Sequence, residues 1–106
     1  MSYFFHIDAE AEHLETVAYY ESKQPGLGVI YLSEFEKIMA NICDSPRRNR
    51  IEIEPGIRIK NMEKFPFNIL FREITSTVQV LAVAHRRRRP TYWLGRSQIK
   101  PSDNHD

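Results

Sequence analysis

The sequence contains a single cysteine, Cys43, which excludes a disulfide framework and a cysteine metal cluster. No apolar run approaches the roughly 20 residues that a membrane-spanning helix requires. The opening Met1-Ser-Tyr-Phe-Phe-His-Ile has neither the basic start nor the long apolar stretch of a signal peptide. Together these absences predict a cytoplasmic protein with no membrane partner. Glycine-rich phosphate loops and nucleophile elbows are missing too. No second histidine lies at a metal-ligand spacing from His85, since His6 and His13 are far away in sequence and His105 is in the tail, so neither a metal nor another cofactor is expected. There is no internal repeat and no low-complexity segment.

What is present fits one domain. The chain has 106 residues, 42% of them apolar and 27% charged, enough for a packed core of modest size. The domain is expected over residues 1–100, with 101–106 a frayed tail. A net charge of +1 conceals a strong asymmetry. Up to Pro46, eight acidic residues face two basic ones, a net of −6. From Arg47 to Lys100, thirteen basic residues face four acidic ones, a net of +9. Such a split describes either a dipolar molecule with one basic face or two solvated faces that offset each other.

Tyr3 to Ile7 is short, aromatic and β-branched, and reads as a first strand. Asp8 is a candidate N-cap, with Glu10 and Glu12 placed where a helix dipole favours negative charge. Ala11, Leu14, Ala18 and Glu21 mark one face of that helix, widened by Val17 and Tyr20. A link of Lys-Gln-Pro-Gly then leads into a second helix from about Leu27. Its stripe is Leu27, Tyr31, Phe35, Ile38 and Ile42, with Leu32 and Met39 alongside. Cys43 falls at its end as a small buried hydrophobe. Beyond Pro46 the period changes from 3.6 to 2. Ile57 to Lys60 alternates apolar and basic residues, Phe67 to Ile74 is a second strand after the helices, and Val78 to His85 a third. The last is almost continuously apolar, as a central strand is. Its Thr75-Ser-Thr link to the preceding strand predicts an antiparallel pair. The order β-α-α-β-β-β predicts a two-layer α+β domain, with a helical hairpin packed on a mainly antiparallel sheet.

The chemically informative stretch is His85-Arg-Arg-Arg-Arg-Pro-Thr-Tyr-Trp-Leu-Gly-Arg96. Four consecutive arginines cannot all be buried unpaired, because each buried charge costs several kcal/mol. Arginine forks suit phosphates and carboxylates, and Tyr92 and Trp93 offer faces for stacking. Alternatively the stretch folds back, with Trp93 and Leu94 plugging the core and the arginines solvated. His85 fits either a general base near neutral pH or a hydrogen-bonded structural residue at a strand end. Glu52, Glu54, Glu63 and Glu73 read as salt-bridge partners.

Taken in order, several segments resemble the RelE/ParE toxin superfamily, and its ParE-like, plasmid-stabilisation branch in particular. They are Tyr19-Tyr20-Glu21, Pro25-Gly-Leu-Gly28 with Phe35-Glu36, Phe65-Pro-Phe67 leading to Ile69-Leu-Phe71, Val80 to His85, and Arg87/Arg88, Pro90, Tyr92-Trp93 and Arg96. The resemblance spans roughly Tyr3 to Arg96. It implies a RelE/ParE-like fold and the toxin of a type II toxin–antitoxin module, held in a hetero-oligomer with a cognate antitoxin.

The resemblance leaves the target open. ParE-like members inhibit DNA gyrase by binding, without chemistry of their own. RelE-like members are metal-independent endoribonucleases that cut mRNA on the ribosome, using basic residues and a C-terminal tyrosine. Under the nuclease reading Arg86 and Tyr92 are the catalytic candidates, with Arg58, Lys60 and His85 behind them. Where the nucleases carry a further arginine, this sequence has Asn68, so the set is incomplete. Under the gyrase reading Arg86, Arg87, Arg88, Arg89, Tyr92 and Arg96 are the target-binding candidates. A third reading is an inactive toxin homologue kept as a partner-binding subunit.

Overall fold

The structure is a computed structural model, and it describes residues 1–88 and 92–97. Strand β1 (Tyr3–Phe5) leads into helix α1 (Ile7–Lys23) and helix α2 (Leu27–Asp44). A 3-10 turn at Pro46–Arg48 follows, then β2 (Ile51–Ile53), β3 (Ile57–Asn61), β4 (Phe67–Ile74), β5 (Thr77–His85) and a short α3 (Leu94–Ser97). The five strands form one sheet in the order β1-β5-β4-β3-β2, antiparallel throughout except where β1 runs parallel to β5. The expected α+β hairpin-on-sheet architecture is therefore present, with β2 and α3 in addition. Arg89 and the tail at 101–106 lie outside the described residues.

Helix α1 starts one residue before the expected cap. His6, not Asp8, is its N-cap, and the His6 Nδ1 accepts the Asp8 N–H at 3.1 Å. The buried face also differs from the expected one. Ala9, His13 and Thr16 are buried and Val17 and Tyr20 half-buried, whereas Ala11, Leu14, Ala18 and Glu21 face solvent. Two polar residues suit the buried face because the fold satisfies them locally. Thr16 donates to the Glu12 carbonyl at 2.7 Å, and the His13 ring packs 4.2 Å from Phe35 and 5.1 Å from Phe5, centroid to centroid. Burial lowers the pKa of His13, which favours the neutral ring this environment needs.

The two helices are joined by Gln24, Pro25 and Gly26, with Gly26 left-handed at φ 91°. Glu21 closes the turn, its carboxylate accepting the N–H groups of Gly26 (2.9 Å) and Gly28 (3.0 Å). It thus binds the otherwise unsatisfied donors at the start of α2, an interaction the dipole of that helix reinforces. The backbones approach closely at Gly28, where an added Cβ would lie 2.7 Å from the Val17 carbonyl oxygen. Gly28→Ala should therefore cost about 1–3 kcal/mol by forcing the helices apart. A urea-unfolding midpoint equal to that of the unmodified chain would show that the hairpin yields freely there.

The sheet is covered on both faces. On one side Tyr31, Phe35, Met39 and Ile42 of α2 pack onto Ile69, Phe71, Val78, Val80 and Val83. Cys43 joins this core as a buried thiol, as expected, and burial raises its pKa. On the other side Ile57, Leu70, Leu81, Ala82 and Ala84 are covered by Trp93. Leu94, the expected companion plug, faces outward. Strand β5 is buried on both faces between β1 and β4, which accounts for its unbroken apolar run. The β4–β5 hairpin turns on Thr75 and Ser76, both at positive φ (49° and 59°), so the link is two residues rather than three.

Candidate functional site

The register of β3 and β4 sorts the basic residues by face. Arg58 pairs with Phe71 and Lys60 with Ile69, and directly paired residues project from the same side of a sheet. Phe71 and Ile69 belong to the helix-side core, so Arg58 and Lys60 point that way. The Arg58 guanidinium is occupied there, donating to the Asn49 carbonyl. Asn68 and Leu70 project to the opposite face, where the C-terminal segment lies.

On that second face Asn68, Arg86, Arg88 and Tyr92 line a recess of about 270 Å³ floored by Ile59, Leu70 and Trp93. Asn68 Oδ1 is buried within it and has no hydrogen-bond partner among the described residues. Arg86 is positioned by its own contacts, with its N–H on the Pro66 carbonyl at 2.9 Å and its Nη2 on the Met62 carbonyl at 2.7 Å. His85 organises the turn that follows β5. Its Nδ1 accepts the Arg87 N–H at 3.1 Å and its carbonyl accepts the Arg88 N–H at 2.9 Å. A neutral His85 ring accordingly carries its proton on Nε2. The Arg87 side chain is exposed, and the Arg88 guanidinium lies 4.1 Å from the centre of the Tyr92 ring.

Tyr92 and Arg96 meet on Glu12, whose sequence context shows only a place where a helix dipole favours negative charge. Arg96 forks onto the Glu12 carboxylate with contacts of 2.9 and 3.0 Å, and the Tyr92 hydroxyl donates to it at 2.7 Å. Burial and the Glu12 bond push the Tyr92 phenol well above its ordinary pKa. For Arg96, burial works against the charge, but the Glu12 carboxylate outweighs it and raises the pKa. The pair also blunts a sheet edge. Strand β1 ends at Phe5, and past Val80 no strand among the described residues pairs with that side of β5. There Glu12 accepts the Val83 N–H at 3.0 Å, and Arg96 donates to the Leu81 carbonyl at 3.0 Å. These side chains occupy backbone groups that would otherwise invite strand addition. Glu12 is eighty residues or more from both partners in sequence, so no local pattern could have revealed the cluster.

The structure thus brings Arg86, Arg88, Tyr92 and Asn68 to one recess and places Arg58 and Lys60 on the other face. Among the described residues no group of three side chains suited to a metal ion occurs, and no helix is long and apolar enough to cross a membrane. The chain superposes on a solved structure described as the chromosomal ParDE TA system from P. aeruginosa with a TM-score of 0.68. The match covers 80% of this chain and 95% of that one, at 19% sequence identity. The chain has a RelE/ParE-like fold. Within that RelE/ParE-like fold, the recess lies on the face away from the helical hairpin, at the end of β5 where the arginine run begins. Neither protein-family models nor curated proteins yield a match to the sequence.

Proposed function

We propose that this chain is the toxin of a type II toxin–antitoxin module, silenced by a cognate antitoxin, and that it acts by binding DNA gyrase. It would work in the cytoplasm, in a hetero-oligomer with the antitoxin until released. The reading starts from the RelE/ParE-like fold shared with the ParDE structure. The observation that favours binding over cleavage is the Tyr92 hydroxyl. It donates to Glu12 inside a three-residue cluster, while Arg58 and Lys60 face the other way. A metal-independent nuclease needs its proton donor and its basic residues around one phosphate. Here the exposed Arg87 and Arg88 form a cationic rim suited to an acidic protein surface.

One observation favours the nuclease reading in its turn. Arg86, Arg88 and Tyr92 line the same recess, into which a nucleotide could enter. Induced expression without antitoxin separates the two, with plasmid supercoiling and mRNA integrity followed in the same cells. Loss of supercoiling with intact mRNA is expected. Tyr92→Phe should keep its toxicity, and the double charge reversal Arg87→Glu/Arg88→Glu should raise the inhibitory concentration about tenfold or more, or about 1.4 kcal/mol. Cleavage of translated mRNA that disappears in Tyr92→Phe would refute the gyrase assignment.

A further inference from the structure

A second recess, of about 460 Å³, lies on the other side of His85 between α1 and the start of β4. Its chemistry is the reverse of the first. Tyr19, Tyr20, Phe67 and Pro66 supply aromatic and apolar walls, Glu15 contributes a carboxylate, and among the described residues no lysine or arginine lines it. The walls are held in place. The Tyr20 ring sits 4.9 Å from Phe65 and 5.8 Å from Tyr31, Tyr19 meets it edge-on at 5.3 Å, and Phe67 meets His85 edge-on at 5.0 Å. Glu15 and Tyr19 are four residues apart on α1 and share one helical face. The Glu15 side chain is exposed and makes no ion pair among the described residues. A cation already uses one of these rings, since Lys23 Nζ lies 5.1 Å from the Tyr19 centroid.

We propose that this recess seats an arginine side chain of a partner polypeptide. Rigid aromatic faces beside a carboxylate attract cations, and a guanidinium can stack on a ring while its N–H fork reaches the carboxylate. The compact, strongly hydrated ammonium of lysine has no planar face to stack. A polypeptide is indicated by the surroundings. The first 46 residues carry a net charge of −6, which favours a basic segment. Beside the recess, Ile7, Ala11, Leu14 and Ala18 form an exposed apolar stripe along α1. A helix or extended segment with apolar contacts and one projecting arginine matches both features.

The test is an NMR titration of the purified chain with acetyl-arginine-amide, acetyl-citrulline-amide, acetyl-lysine-amide and agmatine. Acetyl-arginine-amide should give saturable shifts at Glu15, Tyr19, Tyr20 and His85. Citrulline, which keeps the shape without the charge, should bind about fivefold more weakly or less. Glu15→Gln and Tyr19→Leu, both at exposed positions, should each weaken the arginine response and leave the remaining spectrum folded. Lys60→Ala should not alter it. Absence of saturable shifts, or equal binding of citrulline or lysine, would overturn the assignment of arginine. Tighter binding of agmatine than of the capped amide would overturn the polypeptide source. The titration needs neither gyrase nor toxicity, so its failure would leave the gyrase reading intact, and the reverse also holds.

Discussion

Trp93→Ala is expected to cost about 3–5 kcal/mol, the range for truncating a large buried aromatic side chain. Trp93 is 2% exposed and covers Leu70, Leu81, Ala82 and Ala84, which would otherwise face water. At about 4–8 °C per kcal/mol for a domain near this size, the melting temperature should fall by more than about 10 °C. Trp93 is the sole tryptophan, so unfolding is best followed by circular dichroism. Trp93→Phe should recover much of the loss. A cost below about 1 kcal/mol would mean that the C-terminal segment is held by its ion pair rather than by this ring.

The ion pair is the second test. Glu12→Ala removes the acceptor for Tyr92 and Arg96 and uncovers the Val83 N–H. The Glu12 and Arg96 side chains are only 15% and 14% exposed, so the guanidinium stays largely out of water, with Asp8 at 3.8 Å as its remaining carboxylate. Breaking such a pair from one side costs about 3–5 kcal/mol when burial is complete. With this residual water contact, about 2–4 kcal/mol is expected. A double-mutant cycle of Glu12→Gln with Arg96→Met should return a coupling of about 1–3 kcal/mol by urea unfolding. Additive effects would show that the two side chains are held independently. In neither experiment should Lys37→Ala, an exposed position on α2 used as a control, move the midpoint by more than about 0.5 kcal/mol.

Much of the fold was legible because its signals are local. The α2 stripe at Tyr31, Phe35 and Ile42 repeats at helical spacing, and its buried side is the one expected. The apolar run of β5 identified a strand covered on both faces, although the second cover, Trp93, was only one of two readings of the tail. Strand β2 escaped notice because Ile51-Glu-Ile is too short to establish an alternation. The buried face of α1 departs from the apolar pattern for a different reason. Ala11, Leu14 and Ala18 are the more apolar choice, but they form the exposed stripe beside the Tyr19–Tyr20 recess. His13 and Thr16 are buried instead, because neighbouring groups satisfy their polar atoms.

The candidate site divides along the same line. The arginines after His85 were visible as a run that could not be buried unpaired, and Arg87 and Arg88 are exposed as that argument requires. The same argument could not say which of Tyr92, Trp93 and Arg96 would be spent on packing. Periodicity and composition are properties of neighbours in sequence, so they specify helices, strands and the side each prefers to bury. The Glu12 cluster and the opposed faces of Lys60 and Asn68 depend on strand register and on contacts across most of the chain. Those are settled when the two faces of the sheet close, because only then do Arg96 and Glu12 leave water together.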